Sequence, residues 1–337
     1  MKTMNLSDLS NLFLSVLTDD GHLNTNASYK KIWGDEWKHH LIRVISRLHE
    51  DILRTHVTEG NDKIGYTLNF SIPALYTCSK EACETCGKGA CYALSEERYP
   101  AVVISRYENL NLCVKDPERL EREINEAIAK AKKMRYFKDQ KTGKYWSERA
   151  LRSELKHRKD EDPDKYKKGM QLKAFIEELQ LVQVDADEVK VKFHFRLHES
   201  GDFYSVAYLD MWLRIAEKNP DVVFYTYTKQ YDILRKRAAE VLAMQNFTIK
   251  LSAWHGLPLP QDLIDMGYYV AWCDDGFEDR IPENAFPCPA TAGNDMTCER
   301  CGYVCKKNID VCFHLHGNGA AEYLESMAAK NNDKAVA

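Results

Sequence analysis

VVFYTYTKQYDILRKRAAEVLAMQNFTIKL, residues 222–251, reads as strand, helix and strand. Residues 222–226 (VVFYT) are β-branched and aromatic, the types that fit a pleated surface. Residues 230–244 put their apolar side chains at helical spacing, and residues 247–251 return to strand spacing. Two short strands joined through a helix lie parallel, so this stretch is a βα unit. The pattern continues on both sides. Upstream, residues 189–197 alternate as a strand. Residues 205–218 follow as a helix with Leu209, Trp212, Leu213 and Ala216 on one side, stopped by Asn219-Pro220. Downstream, residues 261–266 form a short helix ended by Gly267, and residues 268–272 a strand. An earlier strand, residues 66–72 (YTLNFSI), ends at Pro73. The expected fold is α/β, with parallel βα units forming a complete or partial βα barrel or a doubly wound sheet.

The remaining segments fit around that core. Residues 5–17 and 33–53 carry apolar stripes at helical spacing and predict a helical N-terminal extension over residues 1–60. Its polar residues, His39, His40 and His49 among them, read as a solvated face. Residues 102–104 suggest a short strand, and residues 117–133 a helix opened by Pro117. The core then spans residues 61–285, with a charged insertion at about 138–170, and a cysteine-rich C-terminal segment covers 286–337. The 337 residues are 44% hydrophobic, which excludes wholesale disorder. No apolar run approaches the roughly 20 residues that span a bilayer, so no membrane association is expected. The start lacks a secretory pattern, which predicts a cytoplasmic protein.

The eleven cysteines are an odd number for a chain with no export signal, and a reducing compartment keeps thiols free. Eight fall in two clusters. Cys78, Cys83, Cys86 and Cys91 are spaced C-x4-C-x2-C-x4-C in the loop after an early strand. Cys288, Cys298, Cys301 and Cys305 are spaced C-x9-C-x2-C-x3-C, with Cys312 just beyond as a candidate substitute. Soft thiolates at such spacing suit iron–sulfur clusters, one or two [4Fe–4S] groups, with zinc as the alternative. Cys83 and Cys86 paired with Cys298 and Cys301 would make one long-range zinc site. Cys113 reads as a buried hydrophobe and Cys273 as a strand-end residue facing the site.

A second group of polar residues sits where strands hand over to helices. The segment FRLHESGD, residues 195–202, crowds Arg196, His198, Ser200 and Asp202 at one strand end. Ser200 or Asp202 can cap the next helix. Thr226, Thr228 and Lys229 end the next strand, then Ser252, Trp254 and His255, then Cys273, Asp274 and Asp275. In a parallel βα fold these ends share one face and converge there with the first cysteine loop. In an enzymatic reading His198 moves protons, Asp202 orients or accepts, Arg196 or Lys229 holds an anionic group, and His255 lines the cavity. From residue 130 to residue 173, 16 Lys and Arg face 7 Asp and Glu in a chain of net charge −4. That segment is either a solvated insertion or a basic surface for nucleic acid, with Tyr145, Trp146 and Tyr166 available for stacking. Walker A, GxGxxG, HExxH and GxSxG patterns are absent from the sequence.

Several motifs together resemble one family. These are SIPA before Thr77-Cys78, the Cys91-Tyr92-Ala93 ending, FRLHESGDFYS, Asn219-Pro220-Asp221-Val222, Tyr227-Thr228-Lys229 and Cys288-Pro289-Ala290-Thr291 with its following cysteines. They are similar to the bacteriophage gene product eighty-eight family, over roughly residues 66–312. That resemblance implies a phage or prophage origin and a place in the cytoplasm of an infected cell, and supplies no reaction. The cysteine loop after the first strand is more distantly similar to radical SAM βα-barrel enzymes. Their spacing is C-x3-C-x2-C, however, and a fourth thiolate from Cys91 would close the iron that SAM needs. No glycine-rich SAM-binding segment follows the next strand. Two readings stand. One is an iron–sulfur protein performing a redox or radical-type reaction on an unknown substrate. The other is a non-catalytic module, stabilised by zinc or a cluster, that binds a host protein or nucleic acid.

Overall fold

The βα repetition builds a parallel sheet. The computed structural model describes residues 16–60, 64, 67–85, 91–167, 169–185, 193–292, 296, 298, 301–315, 320, 321, 323–325, 327 and 328. In chain order, helix α1 (Trp37–Arg47) buries the predicted stripe of Leu41, Val44 and Ile45. Strands β1 (Thr58–Glu59) and β2 (Thr67–Phe70) follow. Helices α2 (Pro100–Lys115) and α3 (Pro117–Lys132) each open on a proline, whose missing N–H is not needed in the first turn. Next come β3 (Tyr136–Asp139), β4 (Tyr145–Ser147), α4 (Glu148–Glu161), α5 (Leu172–Glu178) and β5 (Leu181–Val184). The repeating region supplies β6 (Phe193–Leu197), α6 (Val206–Lys218), β7 (Val222–Thr228), α7 (Tyr231–Arg235), α8 (Ala238–Ala243), β8 (Phe247–Ser252), α9 (Gln261–Asp265) and β9 (Val270–Asp274). Strands β10 (Phe286–Pro287) and β11 (Val311–His314) come from the cysteine-rich segment. Residues 5–15 of the first predicted helix and residues 189–192 lie outside the described residues.

The chain divides into two units, residues 1–125 with 194–337, and residues 126–193. In the first, eight strands are ordered β1-β2-β6-β7-β8-β9-β11-β10. Strand β1 pairs antiparallel with β2. The pairs β2–β6, β7–β8, β8–β9, β9–β11 and β11–β10 are parallel. From β2 to β9 the order is sequential. Right-handed crossovers therefore send the connecting helices to a single face. Trp212 of α6 shows which face, with its ring 5.3 Å from Phe70 and 5.4 Å from Phe195. The sheet is open among the described residues, so of the expected arrangements the complete βα barrel is not formed there. Both edges are two-residue strands, and at one of them Pro287 has no N–H to offer a further neighbour.

Strand alternation sends the other set of side chains to the opposite face. The segment around residues 303–307 covers that face. Tyr303 stacks on His194 with centroids 4.3 Å apart, and the Lys306 ammonium lies 4.3 Å from the Tyr225 ring centre. Lys250 of β8 is fully buried and donates to the carbonyl oxygens of Lys307 at 2.8 Å and Ile309 at 2.5 Å.

Two local expectations change. Residues 102–104 lie within α2 rather than in a strand, because Pro100 starts a helix that buries Val103 and Ile104 on its core side. Residues 230–244 form two helices, α7 and α8, separated at Lys236 and Arg237.

The second unit is a three-stranded antiparallel sheet, ordered β4-β3-β5, with α4 and α5. Phe137, Leu151, Leu155, Tyr166, Leu172 and Phe175 form its core. The charged stretch that reads as an insertion thus carries a small hydrophobic core of its own.

Candidate functional site

The strand ends of the first unit meet around a cavity of about 490 Å³. The loops that follow β2 and β6 interlock beneath it. His198 donates its backbone N–H to the Phe70 carbonyl at 2.9 Å, and Ile72 donates to the Ser200 carbonyl at 3.2 Å. Gly201 adopts φ +83°, and a Cβ there would stand 2.6 Å from Ile72 Cγ1, 2.7 Å from Ile72 O and 2.8 Å from Thr77 Oγ1. Only glycine permits that approach, and the approach sets the path leading to Cys78.

Asp202 joins β6 to β7. Its carboxylate accepts from Thr228 Oγ1 at 2.6 Å, the Phe203 N–H at 2.8 Å and the Lys229 N–H at 2.7 Å. Burial pushes this carboxyl up to about 6, against the three donors that favour its charged form. Neither Ser200 nor Asp202 caps α6. Ser205 does, its hydroxyl accepting from the Tyr208 N–H at 3.2 Å.

His198 adopts φ +60° and is buried. Its Nε2 lies 3.0 Å from the Tyr208 hydroxyl and its Nδ1 3.5 Å from Thr226 Oγ1. Burial lowers it to about 3, so the imidazole is neutral near pH 7.

Arg196 projects from the face opposite Phe195. Its Nη1 is 3.9 Å from Glu199 Oε1 and its Nη2 donates to the Tyr92 hydroxyl at 3.4 Å. Tyr92 donates to the Glu199 carbonyl at 2.6 Å, and Asn69 Nδ2 donates to Glu199 Oε2 at 2.5 Å. Tyr92, Glu199 and Asn69 are not among the candidate chemical residues of the sequence; only their contacts to Arg196 and to one another in the fold bring them into the site.

Of the five residues predicted to serve chemistry, Arg196, His198, Asp202 and Lys229 line the cavity. His255 does not. The chain turns after β8, with the Leu257 N–H on the Trp254 carbonyl at 2.9 Å, so Trp254 faces the cavity and His255 lies 6.2 Å from the Phe277 ring.

Both cysteine segments reach the same cavity. Cys78 and Cys91 line it from the first, and Cys288, Cys298, Cys301 and Cys305 from the second. Cys273, at the end of β9, joins them. Cys83 sits on the short helix Lys80–Glu84 with Sγ 3.5 Å from the Leu75 carbonyl, off the cavity wall, and Cys86 lies outside the described residues. Cys312 is buried within β11 beside Trp272, which takes it out of the cavity lining. Cys113 is buried in α2, and burial raises its thiol well above the usual range.

The thiols of the second segment sense one another. Burial, then the neighbouring Cys305 and Cys301, push Cys298 up to about 11, while Lys306 acts the other way. The Lys306 Nζ is buried and makes no hydrogen bond among the described residues. It lies 3.6 Å from the Tyr303 ring centre. Burial lowers it to about 7, opposed by Cys305, Cys298 and Cys301. Nearby, His314 Nδ1 pairs with Asp274 Oδ2 at 2.8 Å, directly across the β9–β11 ladder. The sequence carried no sign of that pair, because β11 reaches β9 from about 40 residues away.

Among the described residues, no three His, Cys, Asp or Glu side chains close around a single metal ion.

The family described as Gene product 88 matches residues 43–156 and 147–312. The chain belongs to that family. Among curated proteins, the Gene 88 protein of Mycobacterium phage L5 is 30% identical over 142 residues, covering 38% of this chain and 57% of that protein. The Gene 88 protein of Mycobacterium phage D29 is 27% identical over 140 residues, covering 38% and 58%. The chain thus spans somewhat over half the length of these relatives. No solved structure matches, and nothing in these matches supports the likeness to radical SAM enzymes. Within the Gene product 88 family match fall the interlocked loops, the strand-end residues and every cavity-lining cysteine. No helix among the described residues is long and apolar enough to cross a membrane.

Proposed function

We propose that this phage-family protein holds an iron–sulfur group in the strand-end cavity, with thiolates drawn from both cysteine segments. The observation that carries the reading is convergence. Six thiols from segments roughly 200 residues apart in sequence line one cavity of about 490 Å³. Buried structural cysteines scatter singly, and nothing in core packing gathers them.

The donor chemistry fits the group. Thiolates are the ligands of iron–sulfur clusters, and a bound cluster carries net negative charge. Basic groups lie near those thiols, with Lys306, whose charged form Cys305, Cys298 and Cys301 favour, and Arg196 on the cavity wall. A zinc ion gathers its sulfur donors tightly, about 2.3 Å from the metal, and among the described residues no three His, Cys, Asp or Glu side chains are so grouped. A cluster spreads its thiolates over several irons, so a wider set suits it better.

Bound there, the group would supply one-electron chemistry or a structural staple. The chain's own residues do the rest. Lys250 pins the segment that bears Cys298–Cys305, and Gly201 and Asp202 set the loops around Cys78. In the catalytic reading Arg196 or Lys229 would hold an anionic group, while the buried, neutral His198 would act through hydrogen bonds rather than take up a proton near pH 7.

Anaerobic purification followed by iron and acid-labile sulfide analysis tests the proposal. Brown protein with iron and sulfide in near-equal amounts is expected. Colourless protein carrying stoichiometric zinc alone overturns it.

A further inference from the structure

The basic segment suggests nucleic acid from its charge count, and only a part of that charge is paired on its own helix. Arg152 pairs with Glu148 at 2.5 Å and Arg158 with Glu154 at 2.8 Å. The aromatic residues proposed for stacking do not make a platform. Tyr145 and Trp146 are consecutive in β4 and face opposite sides of the sheet. Tyr166 is buried in the core of the unit.

What the unit presents instead is a groove of about 880 Å³. Its apolar lining is mainly aliphatic: Leu155, Met170, Leu172, Ile176 and Leu181. Arg135, Arg152, Lys156, Lys159 and Lys173 line it, both arginines paired with Glu148 outside the groove, against the single lining carboxylate of Glu177 among the described residues. Lys156 and Lys173 are exposed and carry no ion pair among the described residues.

We propose that this groove takes an acidic amphipathic helix of a partner protein. The aliphatic floor would bury the apolar stripe of such a helix, and the cationic rim would meet its carboxylates. Nucleic acid fits less well, since single strands are gripped by stacking on aromatic faces, and the one aromatic residue of this lining, Phe137, is buried in the core of the unit. The proposal is independent of the iron–sulfur reading, because it rests on a different unit and different residues.

The test uses the full-length protein and fluorescence anisotropy. The probe is a labelled helical peptide of about four turns, with leucines on one stripe and glutamates elsewhere. Controls are a peptide of the same composition in scrambled order and a labelled oligothymidylate of similar length. The double variant Lys156→Glu/Lys173→Glu and the single variant Ile176→Gln are compared with wild type, each checked by circular dichroism. The amphipathic peptide is expected to bind best. Its affinity should fall about tenfold or more in the double variant and several-fold in Ile176→Gln. Equal binding of ordered and scrambled peptides overturns the proposal. So does an amphipathic peptide that fails to bind, or tighter oligothymidylate binding that is lost in the double variant.

Discussion

Lys250, in the middle of β8, donates from Nζ to the backbone carbonyl of Lys307 at 2.8 Å. A fully buried ammonium thus ties the sheet to the segment that carries Cys298, Cys301 and Cys305. Replacing it leaves the carbonyl oxygens of Lys307 and Ile309 without their donor. Lys250→Met is expected to cost about 1–3 kcal/mol in urea unfolding and to lower the iron content of anaerobically prepared protein. Wild-type stability and iron content in this variant would show that the tie does not matter.

Gly201 is the position where backbone chemistry is least negotiable. Gly201→Ala adds a Cβ within 2.8 Å of three atoms of Ile72 and Thr77, at φ +83°. Overpacking and left-handed strain together predict a loss of about 3–5 kcal/mol. Gly276 has a similar φ of +79° with nothing within 4 Å, so Gly276→Ala should cost only the strain, about 1–2 kcal/mol. Similar melting temperatures for the two variants would refute the close-approach argument.

The buried pair His198 and Asp202 predicts opposing pH dependences. His198 is lowered to about 3, so its contribution is present above the unfolded value of about 6.5 and is lost as pH falls. Asp202 is raised to about 6, so its contribution is present below the unfolded value of 3.8 and is lost as pH rises through 6. Between pH 4 and 6 the two slopes, each about 1.4 kcal/mol per pH unit, nearly cancel. Asp202→Asn should uncover a steep loss of stability on acidification over that range. His198→Asn should instead gain stability as pH falls. Denaturant midpoints measured from pH 4 to 7 decide the matter, and unchanged slopes in both variants contradict it.

Cysteine substitutions separate site from core. Cys298→Ala removes a thiol lining the cavity and should lose most of the bound iron. Cys113→Ala removes a thiol buried in α2, outside the cavity, and should keep its iron at a cost of about 1–2 kcal/mol. Equal iron content in the two variants, measured against protein concentration, would separate the cavity from the metal.

Much of the sheet was legible because period matters locally. The alternation of residues 193–197 and the run Val222–Thr228 declare strands, and the spacing of Leu209, Trp212 and Ala216 declares a helix, from neighbours a few positions away. The second unit was not legible. Its strands are three or four residues long and hold lysines and glutamines beside their core residues, so no period emerges. The helix at residues 102–104 was missed for a related reason. β-branched residues there favour a strand locally, and burial in α2 overrides that preference.

The sequence by itself determined which groups were available: two cysteine segments, the polar strand ends, and the order of strand and helix. Those features are local, set by residue type and spacing. Only the tertiary structure decided which of them meet. It brought Cys78 and Cys91 to the cavity that Cys288, Cys298, Cys301 and Cys305 line, left Cys83 off its wall, and turned His255 away. It also left the sheet open among the described residues, with β11 lodged between β9 and β10. Each of these outcomes depends on contacts between residues far apart in the chain, such as Gly201 against Ile72 and Lys250 against Lys307. Such contacts form only where backbone paths and buried polar groups satisfy one another, and no local pattern encodes that.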